Sequence, residues 1–387
     1  MSANSPRAVV LGSGMIGTLM AKDLLAHGDF QVTLVDRSQD ALQAAAARMP
    51  DGSQLATRVC DLTDPETLKS LAREHDVVLG ALSSHLGYQA LGALCTTGKP
   101  YVDISFMEEN ALDWHAQAKE HGSVCVVDCG VAPGMSNLLA GAGVGALDQA
   151  EALEIYVGGL PRERHWPFEY KAGFSPADVI EEYTRPARFV EEGKIIVREA
   201  LSDAEIIEFE GAGELEAFLT DGLRSLIRTL DVPNMVEKTL RYPGHIELMR
   251  VFRDTGLFRK GKIRVGDQMV VPREVTAALL FPKWTFEEGE EDVTVMRIVV
   301  RGKQGGKDRI LQWDLLEPYS QAERATSMSR TTALPATLMA RELLNGHAFE
   351  PGVYAPEQLA GKPGLVDAIL TGLAERGIHY RTSHRDA

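Results

Sequence analysis

The stretch Val9-Val10-Leu11-Gly12-Ser13-Gly14-Met15-Ile16-Gly17 decides the fold. A short apolar run, Arg7 to Leu11, passes directly into GxGxxG, and an apolar helical pattern, Met15 to Leu25, opens inside that loop. In this setting each glycine has a task. Gly12 permits a tight turn, Gly14 lets the backbone approach a pyrophosphate, Gly17 lets helix and sheet pack closely, and the helix start at Met15 and Ile16 presents N–H donors to an anion. The second apolar run, Gln31 to Val35, ends on Asp36, about 20 residues beyond the loop, where a carboxylate accepts hydrogen bonds from an adenosine ribose. The pattern predicts a nicotinamide dinucleotide site. Asp36 repels a 2′-phosphate, which favours NAD, and Arg37 beside it is the residue that would accommodate NADP instead.

Outward from the loop, apolar runs alternate with helical patterns. Leu55 to Cys60, Asp76 to Leu82, Pro100 to Ile104 and Val124 to Val127 complete six strands, with helices over Pro65 to Arg73, Tyr88 to Cys95 and Glu108 to His121 between them. Such alternation predicts a Rossmann-type, doubly wound parallel α/β sheet with right-handed crossovers. Ligands of these sheets collect at the carboxyl ends of the strands, which adds Asp61, Leu62, Ala81, Leu82, Ser83 and Asp103 to the cofactor-lining set. His85 lies in the same loop region but has no partner in sequence that would make it a proton carrier.

The 387 residues exceed what one core usually supports, so two domains are expected: a dinucleotide domain over 1–130 and an α+β substrate and oligomerisation domain over 131–328. Antiparallel material is visible in the second part as Val293 to Arg301 and Asp308 to Leu316, joined by a Gly-rich tip from Gly302 to Lys307. Ser329 to Asn345 reads as a helix stopped by Gly346. A formal charge of -15 disfavours nucleic acid, and no apolar run has the length of a membrane span. The start of the chain has no secretory pattern, so a cytoplasmic protein is expected. Of four cysteines, Cys125 and Cys129 are nearest in sequence, yet about 13 Å apart along an extended strand, so free thiols are expected. No spaced ligand set points to a metal.

The junction Val127-Asp128-Cys129-Gly130-Val131-Ala132-Pro133-Gly134-Met135 joins the sixth strand to a helix, and Val131 falls where such a turn would face the nicotinamide end of the cofactor. From GSGMIG through VVDCGVAPGMSNLLAG (Val126 to Gly141), IYVGGLP (Ile155 to Pro161), KTLRYPGH (Lys238 to His245) and GVYAPEQ (Gly352 to Gln358), the chain resembles the saccharopine dehydrogenase-like family, most closely its lysine 6-dehydrogenase branch. The resemblance covers nearly the whole chain. It implies a C-terminal segment, 329–387, that returns to the dinucleotide domain, and a homo-oligomer.

Chemically, the resemblance implies oxidation of an amine of lysine or a related amino acid by hydride transfer to NAD. Such an enzyme must grip the amino-acid end, take a proton from the ammonium and hold the reacting carbon about 3–3.5 Å from the nicotinamide. On that basis Arg241 is expected to bind the α-carboxylate as a bidentate fork, His245 to act as base, and Tyr170 with Glu169 to receive a cationic end. The segment Thr220-Asp221-Gly222-Leu223-Arg224-Ser225 departs from the lysine enzyme. Arg224 would suit a second carboxylate and a saccharopine-type substrate, whereas Asp221 would suit a cation. Two alternatives stand beside the lysine reading: a saccharopine dehydrogenase or reductase using NADP or NAD, and a dinucleotide-binding sensor without catalysis.

Overall fold

The six apolar runs of the N-terminal part become six strands of one parallel sheet. The computed structural model describes residues 5–386 other than 51, 174, 175, 288, 346 and 348. In chain order the first elements are β1 (Arg7–Leu11), α1 (Met15–Ala26), β2 (Gln31–Asp36), α2 (Gln39–Ala46), β3 (Leu55–Val59), α3 (Pro65–Glu74), β4 (Val77–Gly80), α4 (Ser84–Leu94) and β5 (Tyr101–Asp103). A 3₁₀ turn, Ala111–Trp114, then leads to α5 (His115–His121), β6 (Val124–Val126) and α6 (Met135–Gly145). Helix starts follow local chemistry: the Asp64 side chain accepts from the N–H groups of Glu66 and Thr67 ahead of α3, and Ser38 accepts from that of Ala41 ahead of α2. Strands β1 and β4 are buried almost throughout and apolar, as expected of a sheet covered on both faces.

The next stretch builds a second sheet from β7 (Gln149–Pro161), α7 (Pro176–Thr184), β8 (Ala187–Glu191), β9 (Lys194–Arg198), β10 (Glu205–Phe209), β11 (Gly213–Leu219), α8 (Leu226–Thr229) and β12 (Met235–Arg241). It continues through α9 (His245–Asp254), β13 (Ile263–Val265), β14 (Gln268–Val270), α10 (Pro272–Trp284), β15 (Asp292–Gln304) and β16 (Lys307–Pro318). The chain closes with α11 (Ser327–Leu344), β17 (Gly352–Tyr354), α12 (Pro356–Leu359), α13 (Leu365–Glu375) and β18 (Tyr380–Asp386).

Two compact units result. The first runs to Gly145 and resumes over Ser329–Ile378; the second covers Ala146–Met328 and resumes at His379. The first unit's sheet has the order β17-β6-β5-β4-β1-β2-β3, every pair parallel. The chain therefore winds one way from β1 and then the other from β4, leaving a topological switch point between those two strands. Within this unit the buried Asp23 of α1 takes Arg341 of α11 at 2.7 Å, Arg376 at 2.5 Å and Thr337 at 2.7 Å, which ties the returning C-terminal helices to α1.

The second unit holds the order β10-β11-β12-β7-β15-β16-β18, with β8 on β12 and β9 on β8. All of its pairs are antiparallel except β7 with β12. Three boundaries differ from the sequence reading. Helix α6 belongs to the first unit, so that unit extends to Gly145 rather than 130. The last residues leave the C-terminal segment, because β18 forms a ladder with β16. The β15–β16 hairpin extends to Gln304 and Lys307, leaving only Gly305-Gly306 at φ 59° and 76° as its tip. Gly346, the expected stop of α11, lies outside the described residues.

Candidate functional site

The dinucleotide loop sits on the switch point. Gly12 donates to the Val35 carbonyl at 2.8 Å and Ala81 to that of Leu11 at 2.9 Å, so the loop lies over the ends of β2, β1 and β4. The three glycines separate by what a Cβ would meet. At Gly12 (φ 99°) it would lie 2.5 Å from the Ala81 oxygen, and at Gly17 1.9 Å from the Gly12 oxygen; both positions are closed by backbone. At Gly14 nothing lies within 4 Å, and Gly14 itself begins α1 with no side chain capping the helix. Open space beside an uncapped helix start is what an incoming pyrophosphate requires, so these residues fit a dinucleotide.

Asp36 completes this side. One carboxylate oxygen accepts from the Ser13 N–H at 2.8 Å and its hydroxyl at 2.9 Å, and the other accepts from the Ser38 N–H at 2.9 Å. Partial burial opposes its ionisation, but the bonds from Ser13 and Ser38 prevail and hold the carboxyl below its ordinary value. Arg37 lies beside it and is exposed, as is Met15 at the loop, whereas Ile16 is half-buried. Asp61 is bonded to its own loop through Thr63, and Leu62 is packed in the core beneath. Leu82 packs on that core, Ser83 begins α4, and Val131 is buried in the turn that precedes α6.

Asp103, at the end of β5, is fully buried. It accepts from the Tyr101 hydroxyl at 2.8 Å, the Ser105 hydroxyl at 3.0 Å and the Ser105 N–H at 3.2 Å. Burial outweighs these bonds and, with nearby Asp128, pushes the carboxyl up to about 7. Cys129 donates its N–H to the Asp103 carbonyl at 2.9 Å, and burial raises its thiol, keeping it protonated. All four cysteines are free. The sequence marked Asp103 by its place at a strand end; its buried partner Tyr101, two residues earlier, carried no such signal.

In the second unit, Tyr170, Arg241 and His245 come together as a buried cluster. The Arg241 guanidinium lies 4.4 Å over the Tyr170 ring, and the Tyr170 and His245 rings are 4.9 Å apart. The cluster corrects two expected roles. Arg241 does not offer an open fork to a carboxylate: its side chain is 3 % exposed, pairs with Glu182 at 2.7 Å, and donates to the Tyr183 hydroxyl at 3.2 Å and the Leu240 carbonyl at 2.9 Å. His245 is a poor base. Its Nδ1 donates to the Phe168 carbonyl at 2.8 Å, which leaves Nε2 to accept from the Tyr183 hydroxyl at 2.9 Å. Burial first, and the Arg241 charge second, lower its pKa to about 3. Tyr183 and Glu182, which organise this cluster, escaped the sequence reading because α7 shows only an amphipathic pattern and its partners lie some 60 residues on.

The other expected substrate residues are also engaged. Both oxygens of Asp221 are taken by Arg188 at 2.7 Å, and Glu169 is paired with Arg164 at 2.6 Å. Arg224 holds a left-handed φ of 52° in the loop after β11. Next to that loop the buried Glu237 accepts from the Thr220 hydroxyl at 2.5 Å and the Gly222 N–H at 3.1 Å; burial pushes it up to about 8. A cavity of about 570 Å³ opens beyond the end of β7, lined by Arg162, Glu163, His165, Lys171, Glu287, Glu290 and Glu291 among others. Its Arg162 pairs with Glu291 and its Lys171 with Glu290, so its cations are already matched by carboxylates.

Comparison with known proteins bears on this arrangement. Residues 8–126 match the saccharopine dehydrogenase NADP binding domain, and residues 130–378 match the saccharopine dehydrogenase C-terminal domain. The chain belongs to the saccharopine dehydrogenase family. Saccharopine dehydrogenase [NADP(+), L-glutamate-forming] of Schizosaccharomyces pombe is 21% identical to this family member over 96% of this chain and 98% of its own length. The carboxyaminopropylagmatine dehydrogenase of Synechocystis is 20% identical over 97% and 96%, and the carboxynorspermidine synthase of Vibrio alginolyticus 22% over 94% of each. The solved saccharopine dehydrogenase (L-Glu forming) of Saccharomyces cerevisiae shares the fold, with a TM-score of 0.80, 19% identity, and coverage of 98% of this chain and 100% of that one. The protein is an NAD(P)-dependent oxidoreductase of this family. Among the described residues no helix is long and apolar enough to cross a membrane.

Proposed function

We propose that this family member is an NAD-linked dehydrogenase that oxidises a C–N bond in an amine bearing both a carboxylate and a cationic end, lysine being the simplest. The observation that carries this reading is the anchored carboxylate of Asp36, held ionised at the end of β2 beside the open Gly14. A fixed negative charge there accepts from two ribose hydroxyls and repels a 2′-phosphate, which favours NAD even though the domain family and the fission-yeast relative are named for NADP.

The bound dinucleotide supplies the hydride acceptor. The chain's own residues do the rest: Gly12, Gly14 and Gly17 shape the pyrophosphate cradle, and Asp36 orients the adenosine end. The substrate class rests on the cavity charges. Matched Arg162–Glu291 and Lys171–Glu290 pairs, together with Glu163 and Glu287, suit a substrate of mixed charge better than the three carboxylates of saccharopine. The names of the Synechocystis and Vibrio relatives denote carboxylated amines, which agrees with this class. Saccharopine is the second reading, supported by the end-to-end match to the fission-yeast enzyme. Free cysteines suit a reducing cytoplasm.

The test is absorbance at 340 nm with purified protein, NAD, and a panel of lysine, ornithine, diamines and saccharopine. NADH formation with lysine or another cationic amine is expected. Turnover of saccharopine alone would replace the leading reading with the second, and NAD binding without turnover of any amine would favour a sensor.

A further inference from the structure

We infer that the hollow beyond the end of β7 grips the α-amino-acid head of the substrate, Lys283 binding its carboxylate and Glu163 with Glu287 binding its ammonium. The inference rests on the reading of this protein as an amine dehydrogenase. Arg241 is enclosed, so the carboxylate contact has to come from a cation that a ligand can reach. A second hollow of about 420 Å³ adjoins the cavity already described: it shares Glu163 and Glu287 with it and adds Trp166, Phe168, Tyr170 and Lys283. Both are built from residues of the second unit. Lys283 stands in the last turn of α10, exposed.

Ion pairing sorts the charges of the two hollows. Arg162 is taken by Glu291 and Lys171 by Glu290. Among the described residues Lys283 and the Glu287 carboxylate enter no ion pair, and Glu163 meets only the imidazole of His165, at 3.7 Å. One cation and two carboxylates are left around one hollow. A zwitterionic head presents the complement, a carboxylate that takes a cation and an ammonium whose three N–H donors need several acceptors. Trp166, 87% exposed, lines the same hollow and offers an indole face to that ammonium. A bare amine would leave Lys283 unmatched, and a bare carboxylate would leave both glutamates unmatched. The aromatic wall is fixed from behind: the Phe168 carbonyl accepts from His245 at 2.8 Å, the Arg241 guanidinium covers the Tyr170 ring, and Trp284 meets Phe168 and Tyr170 edge-on at 6.0 and 5.4 Å. The enclosed cluster thus holds one side of the hollow in a single conformation, as a binding surface requires.

Tryptophan fluorescence of the full chain, titrated with L-norleucine in the presence and absence of NAD, tests this. L-norleucine carries the head without a side-chain amine, so binding is read apart from turnover of that amine. Saturable binding is expected, with pentylamine and hexanoate, which each keep one of the two charges, weaker by about tenfold or more. Lys283→Glu is expected to weaken L-norleucine by about tenfold or more and Glu287→Gln to weaken it severalfold, with far-UV circular dichroism unchanged, while Lys283→Arg keeps wild-type binding. Most of the fluorescence change is expected to be lost in Trp166→Phe. Absence of L-norleucine binding in wild type would overturn the inference. So would an unchanged dissociation constant in Lys283→Glu or, should that variant not fold, in Glu287→Gln. NADH formation by the same variants separates the two readings: lysine turnover with an unaltered KM in Lys283→Glu overturns the head site and spares the dehydrogenase, whereas Lys283-dependent binding in a protein that oxidises no amine overturns the dehydrogenase and leaves an amino-acid site.

Discussion

Gly14 and Gly17 stand three residues apart with opposite reasons for being glycine. At Gly17 a Cβ would collide with the Gly12 oxygen, whereas at Gly14 it would enter open space. Gly17→Ala is therefore expected to lower the unfolding midpoint in urea, and Gly14→Ala to leave it within error while weakening NAD at least tenfold, or about 1.4 kcal/mol. Equal stability loss in both variants would show that the open space at Gly14 has no functional meaning. Loop and Asp36 were legible because their spacing is local and tied to one ligand geometry. Arg241 and His245 were legible only as chemistry-bearing residues. What decides their behaviour is Tyr183 and Glu182, far off in sequence, and no spacing within KTLRYPGH reports that they are enclosed.

Two buried groups titrate with opposite sign. His245 has its folded pKa lowered from 6.5 to about 3, so the unfolded chain binds the extra proton between those values. Its contribution to stability is present above pH 6.5 and is lost as the pH falls toward 3. Glu237 is raised from 4.5 to about 8, so the folded chain binds the extra proton, and its contribution is present at low pH and lost as the pH rises from 4.5 to 8. Glu237→Gln keeps an acceptor for Thr220 and Gly222 without a charge, and urea unfolding at pH 8.5 should find it more stable than wild type. A variant less stable at every pH would show that Glu237 is ionised and favourably placed.

Among the elements, six of the seven strands of the first sheet appear within about two residues of the runs read from the sequence; the central β1 and β4 are apolar because both of their faces are covered, whereas the edge strand β3 is exposed nearly throughout. Strand β17 was not legible. Its three residues pair with β6 from the far side of the second unit's sequence, and a pairing that remote leaves no period to read. The same non-local return creates the Asp23 cluster, in which α11 and the end of α13 bring Arg341 and Arg376 onto α1. Asp23→Ala removes the shared carboxylate from two largely buried guanidinium groups and is expected to cost about 3–5 kcal/mol in urea unfolding. A loss below about 1 kcal/mol would mean that Asp29 and water suffice for both arginines.

At the scale of the whole molecule, the two units divide the work that the sequence implies. One presents a dinucleotide cradle at a switch point, and the other contributes a charged cavity and a buried tyrosine–arginine–histidine cluster whose polar groups are bonded to one another. Fold class, family and the kind of cofactor were readable from motifs spread along the chain; substrate choice was not, because the lining of the cavity comes from the loop after β7 and the one before β15, joined only by folding. The most direct test of NAD-linked amine oxidation is kcat/KM for the best amine with NAD and with NADP, in wild type and in Asp36→Ala. At least a tenfold preference for NAD in wild type, collapsing in the variant through loss of NAD, is the predicted result. A preference for NADP in wild type, or a preference for NAD that survives in Asp36→Ala, would contradict it.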